Sequence, residues 1–344
     1  MSLAATLVGL EQLELEDERY AYASGSVRAR EPQLLDESAL ARLADAESAD
    51  EVWRLLIDAG FERLSDFPPE RYEEALNQEL RDLYAYLRSI EPEGESVADW
   101  LAGRYDFHNL AVALKGYVLE QEPPEGAWIE GIGAVPPKLL ETAARTAVWE
   151  ALPRHLARTA QEALEAYERT GELGRIDSAV ERALLAHLHE TAFHPFLKAL
   201  AALWADLAQL KIALRAKSLG IPRAEWEPLW EGLPAGGISS RELAELFEQP
   251  LEGWPEALPG EYGTLIAESL TEGRWDPTRF EVLCDDFVME HLRAVQYVPY
   301  GPSVIAAYAL AREAEIKNLR VVLVSKRHGL PPEEVRSRLR RSYA

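Results

Sequence analysis

Cysteine is almost absent, with Cys284 alone among 344 residues. No intramolecular disulfide can form, so packing alone must hold the core, and a reducing compartment is the natural setting. A lone thiol inside FEVLCDDF, a helical pattern, reads as a small core residue rather than a nucleophile. Basic residues are outnumbered, 36 Lys and Arg against 59 Asp and Glu, which leaves a net charge of −23. Such a surface repels phosphates and excludes a general nucleic-acid binder. It suits a chain kept apart from its own copies, or one that docks on a basic partner. No stretch reaches 18 uncharged apolar residues, so no transmembrane helix is expected. The longest apolar stretch, residues 196–214, is interrupted by Lys198, Asp206 and Lys211. The start, MSLAATLVGLEQLELEDE, has no basic region and turns acidic at once, unlike a secretory leader. Alternating β-branched runs are nearly missing as well. Ala, Leu, Glu and Arg dominate instead, and the expected class is all-α.

What is present is a repeat. DFHNLAVALKGY at 106–117, DLAQLKIALRAK at 206–217 and EIKNLRVVLVSK at 315–326 share one pattern. An acid opens each copy (Asp106, Asp206, Glu315), and a side-chain amide follows three residues later (Asn109, Gln209, Asn318). Leucine comes next (Leu110, Leu210, Leu319), with a second leucine four further on (Leu114, Leu214, Leu323). Positions i, i+3, i+4 and i+8 share one face of an α-helix. The copies lie 206 − 106 = 100 and 315 − 206 = 109 residues apart, so the chain reads as three versions of one helical unit. The expected divisions are 1–119, with an additional N-terminal helix; 120–219, a linker and the second unit; and 220–344, a linker, the third unit and a C-terminal helix.

Along the chain, a first helix is expected over 20–31, stopped by Pro32. Two short helices follow within 37–61, the second begun by a Ser48–Glu51 capping box. A longer helix over 70–90 precedes the first motif helix at about 96–119. The linker 120–137 is rich in Pro and Gly. The second unit is helical over 138–219, with breaks near 171–174 and 194–195, and a second linker covers 220–239. At an offset of 203, Leu40, Leu43 and Leu55 fall on Leu243, Leu246 and Leu258, so the likeness between first and third units extends upstream of the motif. Pro299, Gly301 and Pro302 mark the turn before the third motif helix.

Candidate chemistry is sparse. Gly131 and Gly133 form a GxG, but no strand precedes it and the Lys and Ser/Thr of a phosphate loop are missing. His187 and His189, with His194 nearby, suggest zinc, yet residues two apart on a helix point away from each other. No Ser or Cys sits in a nucleophile elbow. Asp285, Asp286 and Glu290, in DDFVME, resemble the aspartate-rich, magnesium-binding helix of all-α terpenoid synthases. That resemblance implies an alternative, a magnesium-dependent lyase, although the motif lies near the C-terminus and the family's second acidic motif is missing. No catalytic, cofactor or metal-binding residue is expected otherwise. The motif amides are expected to bond the backbone of a neighbouring helix within their own units.

The run YGPSVIAAYALAREAEIKNLRVVLVSKRHGLPPEEVRSRL resembles the C-terminal signature of the V/A-type rotary ATPase component at the central stalk, named C in prokaryotes and d in eukaryotes. The likeness rests on the Gly before the helix, Tyr308, Arg312-Glu313, Glu315, Asn318-Leu319-Arg320 and the exit from Lys326 through Gly329-Leu330-Pro331. RYDFHNLAVALKGY and YAYASGSVRAREPQLL resemble two further helices of that family. The chain departs from it at Ser24-Gly25 and at Gln209, where the family usually carries Asn. The resemblance implies three helical subdomains about a pseudo-three-fold axis, forming a funnel between the central-shaft subunits and the membrane proteolipid ring. It implies a non-catalytic rotor part, cytoplasmic and peripheral to the membrane, that passes torque between ATP turnover and proton or sodium transport. No cofactor and no small-molecule substrate are implied.

Overall fold

The computed structural model describes residues 16–344 except 125, 230–232, 235 and 259, and most of the acidic start lies outside the described residues. The protein is 74% helical, an all-α fold. Its β-structure among the described residues is one two-residue ladder pairing Leu270–Thr271 with Arg274–Trp275. No helix among the described residues is long and apolar enough to cross a membrane.

Each motif lies on a long helix: Val97–Leu119, Pro195–Leu219 and Pro302–Arg327. The motif leucines drive this, since Leu110, Leu114, Leu210, Leu214, Leu319 and Leu323 are all buried. Burying one such side chain is worth about 1.5–3 kcal/mol, so the stripe outweighs the modest helix propensities around it. All three helices end in the same way. Glu120, Gly220 and Gly329 each take a left-handed conformation, with φ of 52°, 67° and 69°. The next amide then folds back five residues, Gln121 to the Gly116 carbonyl, Ile221 to Ala216 and Leu330 to Ser325. This is the Schellman ending, which satisfies carbonyls that the last turn would leave orphaned. The offsets, 216 − 116 = 100 and 325 − 216 = 109, are those of the motif itself.

Two compact units form. One takes in Glu95–Gly263; the other takes in Thr264–Ala344 and the described residues up to Gly94. In the first unit, Val97–Leu119 packs on Pro137–Thr146 and Gly174–Thr191, and the latter also packs on Arg154–Thr170 and Pro195–Leu219. In the second, Pro302–Arg327 packs on Ala21–Arg28, Ala49–Asp58 and Tyr72–Ile90, while Pro332–Arg336 lies on Glu37–Asp45.

Local expectations differ from the structure at a few points. The first expected helix ends at Arg28, and Pro32 sits in a separate 3-10 turn, Glu31–Gln33. The second unit has an extra break between Thr146 and Arg154, where Ala147 is left-handed and Pro153 opens the next helix. Ser48 accepts from the Glu51 amide, but the Glu51 carboxylate accepts from Glu47 rather than closing a capping box. Ser239 and Glu242 do form one. At the offset of 203, helix Glu37–Asp45 maps onto Ser240–Phe247 with its cap, Asp36 on Ser239. The register then fails: Leu55 is exposed whereas Leu258 is buried, because Pro250, Gly253 and Pro255 break the later segment into short turns.

Candidate functional site

The motif face is polar at two positions on an otherwise apolar stripe, and both positions are buried. Asp106, Asn109, Asp206, Gln209, Glu315 and Asn318 are each at most 6% exposed. Groups buried to that degree need partners, and most of the partners are backbone groups of non-helical segments of the chain. The Asp106 carboxylate accepts from the Ala134 and Val135 amides at 3.0 and 2.9 Å. Asp206 accepts from the Gly237 amide and the Tyr262 hydroxyl, both at 2.6 Å. Glu315 accepts from the Leu35 amide at 2.6 Å and from Arg312.

Glycine makes the first two seats possible. A Cβ at Gly133 would stand 2.2 Å from Asp106 Oδ1, and one at Gly236 would stand 2.2 Å from Asp206 Oδ2. The GxG of the first linker therefore cradles an anion after all, but the anion is the chain's own carboxylate. A reading confined to helices leaves these glycines out. The signal for them is a Gly at 133 − 106 = 27 and 236 − 206 = 30 residues after the acid.

The amides clamp the same segments. Asn109 donates from Nδ2 to the Ile129 carbonyl (2.8 Å) and accepts from the Ile129 amide (3.0 Å). Asn318 makes the same pair with Arg340, at 2.9 and 2.8 Å. The partner is thus an extended linker or tail, not the neighbouring helix that the sequence suggests. Helical backbone groups already bond within their helix, while an extended segment offers a free N–H and C=O side by side. Gln209 differs: its Oε1 is buried with no hydrogen-bond partner among the described residues.

Electrostatics separate the three acids. Among the described residues no cation is bonded to the Asp206 carboxylate; burial pushes its pKa up, against the opposing bonds from Tyr262 and the backbone of Gly236–Ile238. Glu315 is also pushed up by burial, opposed first by the Arg312 guanidinium. Arg312 reaches Glu79 at 3.0 Å and lies over the Phe61 ring at 4.4 Å. Its buried charge is therefore held by two carboxylates and one π-face. Near the first motif, His155 and His187 stack at 4.2 Å beside the Phe107 ring. Burial lowers the pKa of both; Asp106 opposes the shift at His155, and His155 deepens it at His187.

The remaining candidates do not assemble a reacting centre. Asp285 is ion-paired with Lys317 and with Arg340 at 2.9 Å. Asp286 accepts from the Arg341 amide at 2.6 Å, and Glu290 lies 3.5 Å from Arg293 and 3.4 Å from Arg341. Lys317, Arg293 and the C-terminal tail thus partner these three acids, an arrangement that does not support the lyase alternative. His187 and His189 sit on the helix Gly174–Thr191, His194 caps the next helix through Phe196, and no metal-holding group of acids, His and Cys forms among the described residues. Cys284 is half-buried on the helix Pro277–Arg293.

Known proteins share this chain along nearly all its length. It is 26% identical to a Methanocaldococcus jannaschii protein named as the C subunit of an A-type ATP synthase, covering 97% of this chain and 89% of that one. The C subunit of a V-type sodium ATPase from Enterococcus hirae is 25% identical over 92% of this chain and 97% of its own. A second A-type ATP synthase C subunit, from Methanothermobacter thermautotrophicus, is 28% identical over 93% and 87%. The ATP synthase (C/AC39) subunit family matches residues 23–338, from the helix that carries Ser24 to the tail beside Asn318, and the chain belongs to that family.

Proposed function

We propose that this chain is the non-catalytic coupling part of a rotary ATPase or ATP synthase. In this reading three helical subdomains, each centred on one motif helix, close about a pseudo-three-fold axis into a funnel. The funnel joins the central-shaft subunits to the membrane proteolipid ring and transmits torque between ATP turnover and ion movement, on the cytoplasmic side and peripheral to the membrane. Its relatives carry the names of both A-type synthase and V-type sodium ATPase subunits, so proton and sodium are both candidate ions.

What most supports the reading is the use made of the motif. Its acids, and the amides Asn109 and Asn318, tie helices to linkers, the wiring of a stiff mechanical part rather than of a site that turns over substrate. Long helices packed on leucine ridges resist bending. The net charge of −23 favours docking on basic shaft surfaces. The test is affinity capture of the tagged full-length chain from gently solubilised membranes. Co-purification of the proteolipid ring together with the shaft subunits is expected. Recovery of neither would remove the proposal.

A further inference from the structure

Beside the end of the first motif helix lies a cleft of about 590 Å³. That volume falls within the range of sites that take a sizeable ligand group. Val118, Trp128, Leu164 and Tyr167 line it and also pack against the buried core, so the floor is apolar and supported from below. Trp128 is held from both flanks, because Ala127 bonds His108 at 2.9 Å and Ile129 is clamped by Asn109. Tyr117, 43% exposed, adds a third aromatic ring to the lining.

The rim is acidic. Glu120, Glu122 and Glu168 line the cleft with no ion pair among the described residues. Glu141, at 3.6 Å from Arg145, is a paired rim carboxylate. Glu120 is also the odd member of its structural position. Gly220 and Gly329 occupy the corresponding left-handed sites in the other motif helices, where glycine is free of strain. The first copy instead holds a glutamate at φ 52°, a conformation that costs backbone energy for any residue with a Cβ.

We propose that this cleft is the docking pocket for a basic segment of a partner protein, and that the partner is one of the central-shaft subunits. The complement of an aromatic and aliphatic floor under three carboxylates is a side chain that is apolar along its stem and cationic at its head. Arginine meets that description best, with its stem on Trp128 and Tyr167 and its guanidinium among the glutamates. The identity of the partner rests on the proposed function; the chemistry of the occupant rests on the cleft.

The test uses the full-length chain and purified shaft subunits as the calorimetric probe, with sedimentation on proteolipid-ring membranes as a second readout. Glu120→Lys with Glu168→Lys should weaken shaft binding about tenfold or more, with ring binding retained, since opposing charges act most strongly on complementary pairs. The exposed pair Glu252→Lys with Glu256→Lys changes the net charge equally but lies outside the cleft, and should leave shaft affinity within about twofold. Glu120→Gly relieves the backbone while removing one carboxylate, so it should raise the melting temperature and lower shaft affinity together. A misfolded variant could not do both. Equal shaft affinity for the cleft and control variants would overturn the pocket while leaving the coupling role intact. Loss of ring binding instead of shaft binding would overturn the choice of partner. A wild-type chain that binds neither shaft nor ring would remove the functional reading itself, and this proposal with it.

Discussion

Replacing the motif amides by apolar side chains of similar shape separates two clamps from a position whose amide oxygen has no partner among the described residues. Asn109→Leu keeps the volume but orphans the amide and carbonyl of Ile129, and Asn318→Leu does the same to Arg340. Each buried group left without a partner costs about 1–3 kcal/mol. Because Ile129 and Arg340 are only half-buried, water recovers part of this, and we expect a loss of about 2–4 kcal/mol for each variant. In a unit of about 150–250 residues that corresponds to a fall in melting temperature of about 4–16 °C. Gln209→Met, by contrast, removes a side chain whose Oε1 has no described partner, and should cost less than about 1 kcal/mol. Urea unfolding followed by tryptophan fluorescence, with differential scanning calorimetry, measures the series. Amide exchange at Ile129 and Arg340 should quicken only in the matching variant. A Gln209→Met loss as large as that of Asn109→Leu would refute the clamp reasoning.

Arg312→Met should cost about 3–5 kcal/mol in urea titrations by stranding Glu315 and Glu79, with only part of it regained in the double variant Arg312→Met, Glu315→Met, which still leaves Glu79 and the Leu35 amide without their partners. The His155–His187 pair sets a pH dependence: burial lowers both pKa values in the folded state, so the unfolded chain protonates first as pH falls through about 6.5. Their contribution to stability is therefore level above that pH and declines below it. Replacing both by Phe should flatten the loss between about pH 7.5 and 5.5, and an unchanged slope would contradict this. Asp285→Asn should cost about 1 kcal/mol, since Asp285 and Lys317 are part-exposed and the more buried Arg340 keeps its bond to the Arg338 carbonyl. Magnesium should leave the melting temperature of the wild-type chain where it was, whereas a magnesium-dependent rise lost in Asp285→Asn would show that these carboxylates bind the ion.

The helices were legible because their signals are local. The leucine period places the motif helices within a residue or so of Val97–Leu119 and Pro195–Leu219, and the Gly and Pro punctuation finds the breaks at 171–174 and 194–195. The burial of the acids and amides was harder to read, because their partners lie 20 to 280 residues away on segments with no periodicity of their own. Asn109 and Ile129, or Glu315 and Leu35, meet only once the chain has folded. The same distance hides the neutralisation of DDFVME, where Lys317 and Arg340 stand 32 and 55 residues beyond Asp285. Leu55 fails for a different reason: the periodicity is present, but a helix on one side of the comparison is matched by proline-broken turns on the other. The cleft was missed because Glu120 looks like any linker acid until its left-handed backbone is seen beside two glycines.

Coupling is the central claim, and ATP-driven ion uptake into vesicles tests it most directly. Complexes assembled without this chain should hydrolyse ATP in their catalytic heads yet accumulate no ion, and adding back the purified chain should restore uptake. Undiminished uptake without the chain, or loss of head ATPase activity on its removal, would contradict a mechanical, non-catalytic role.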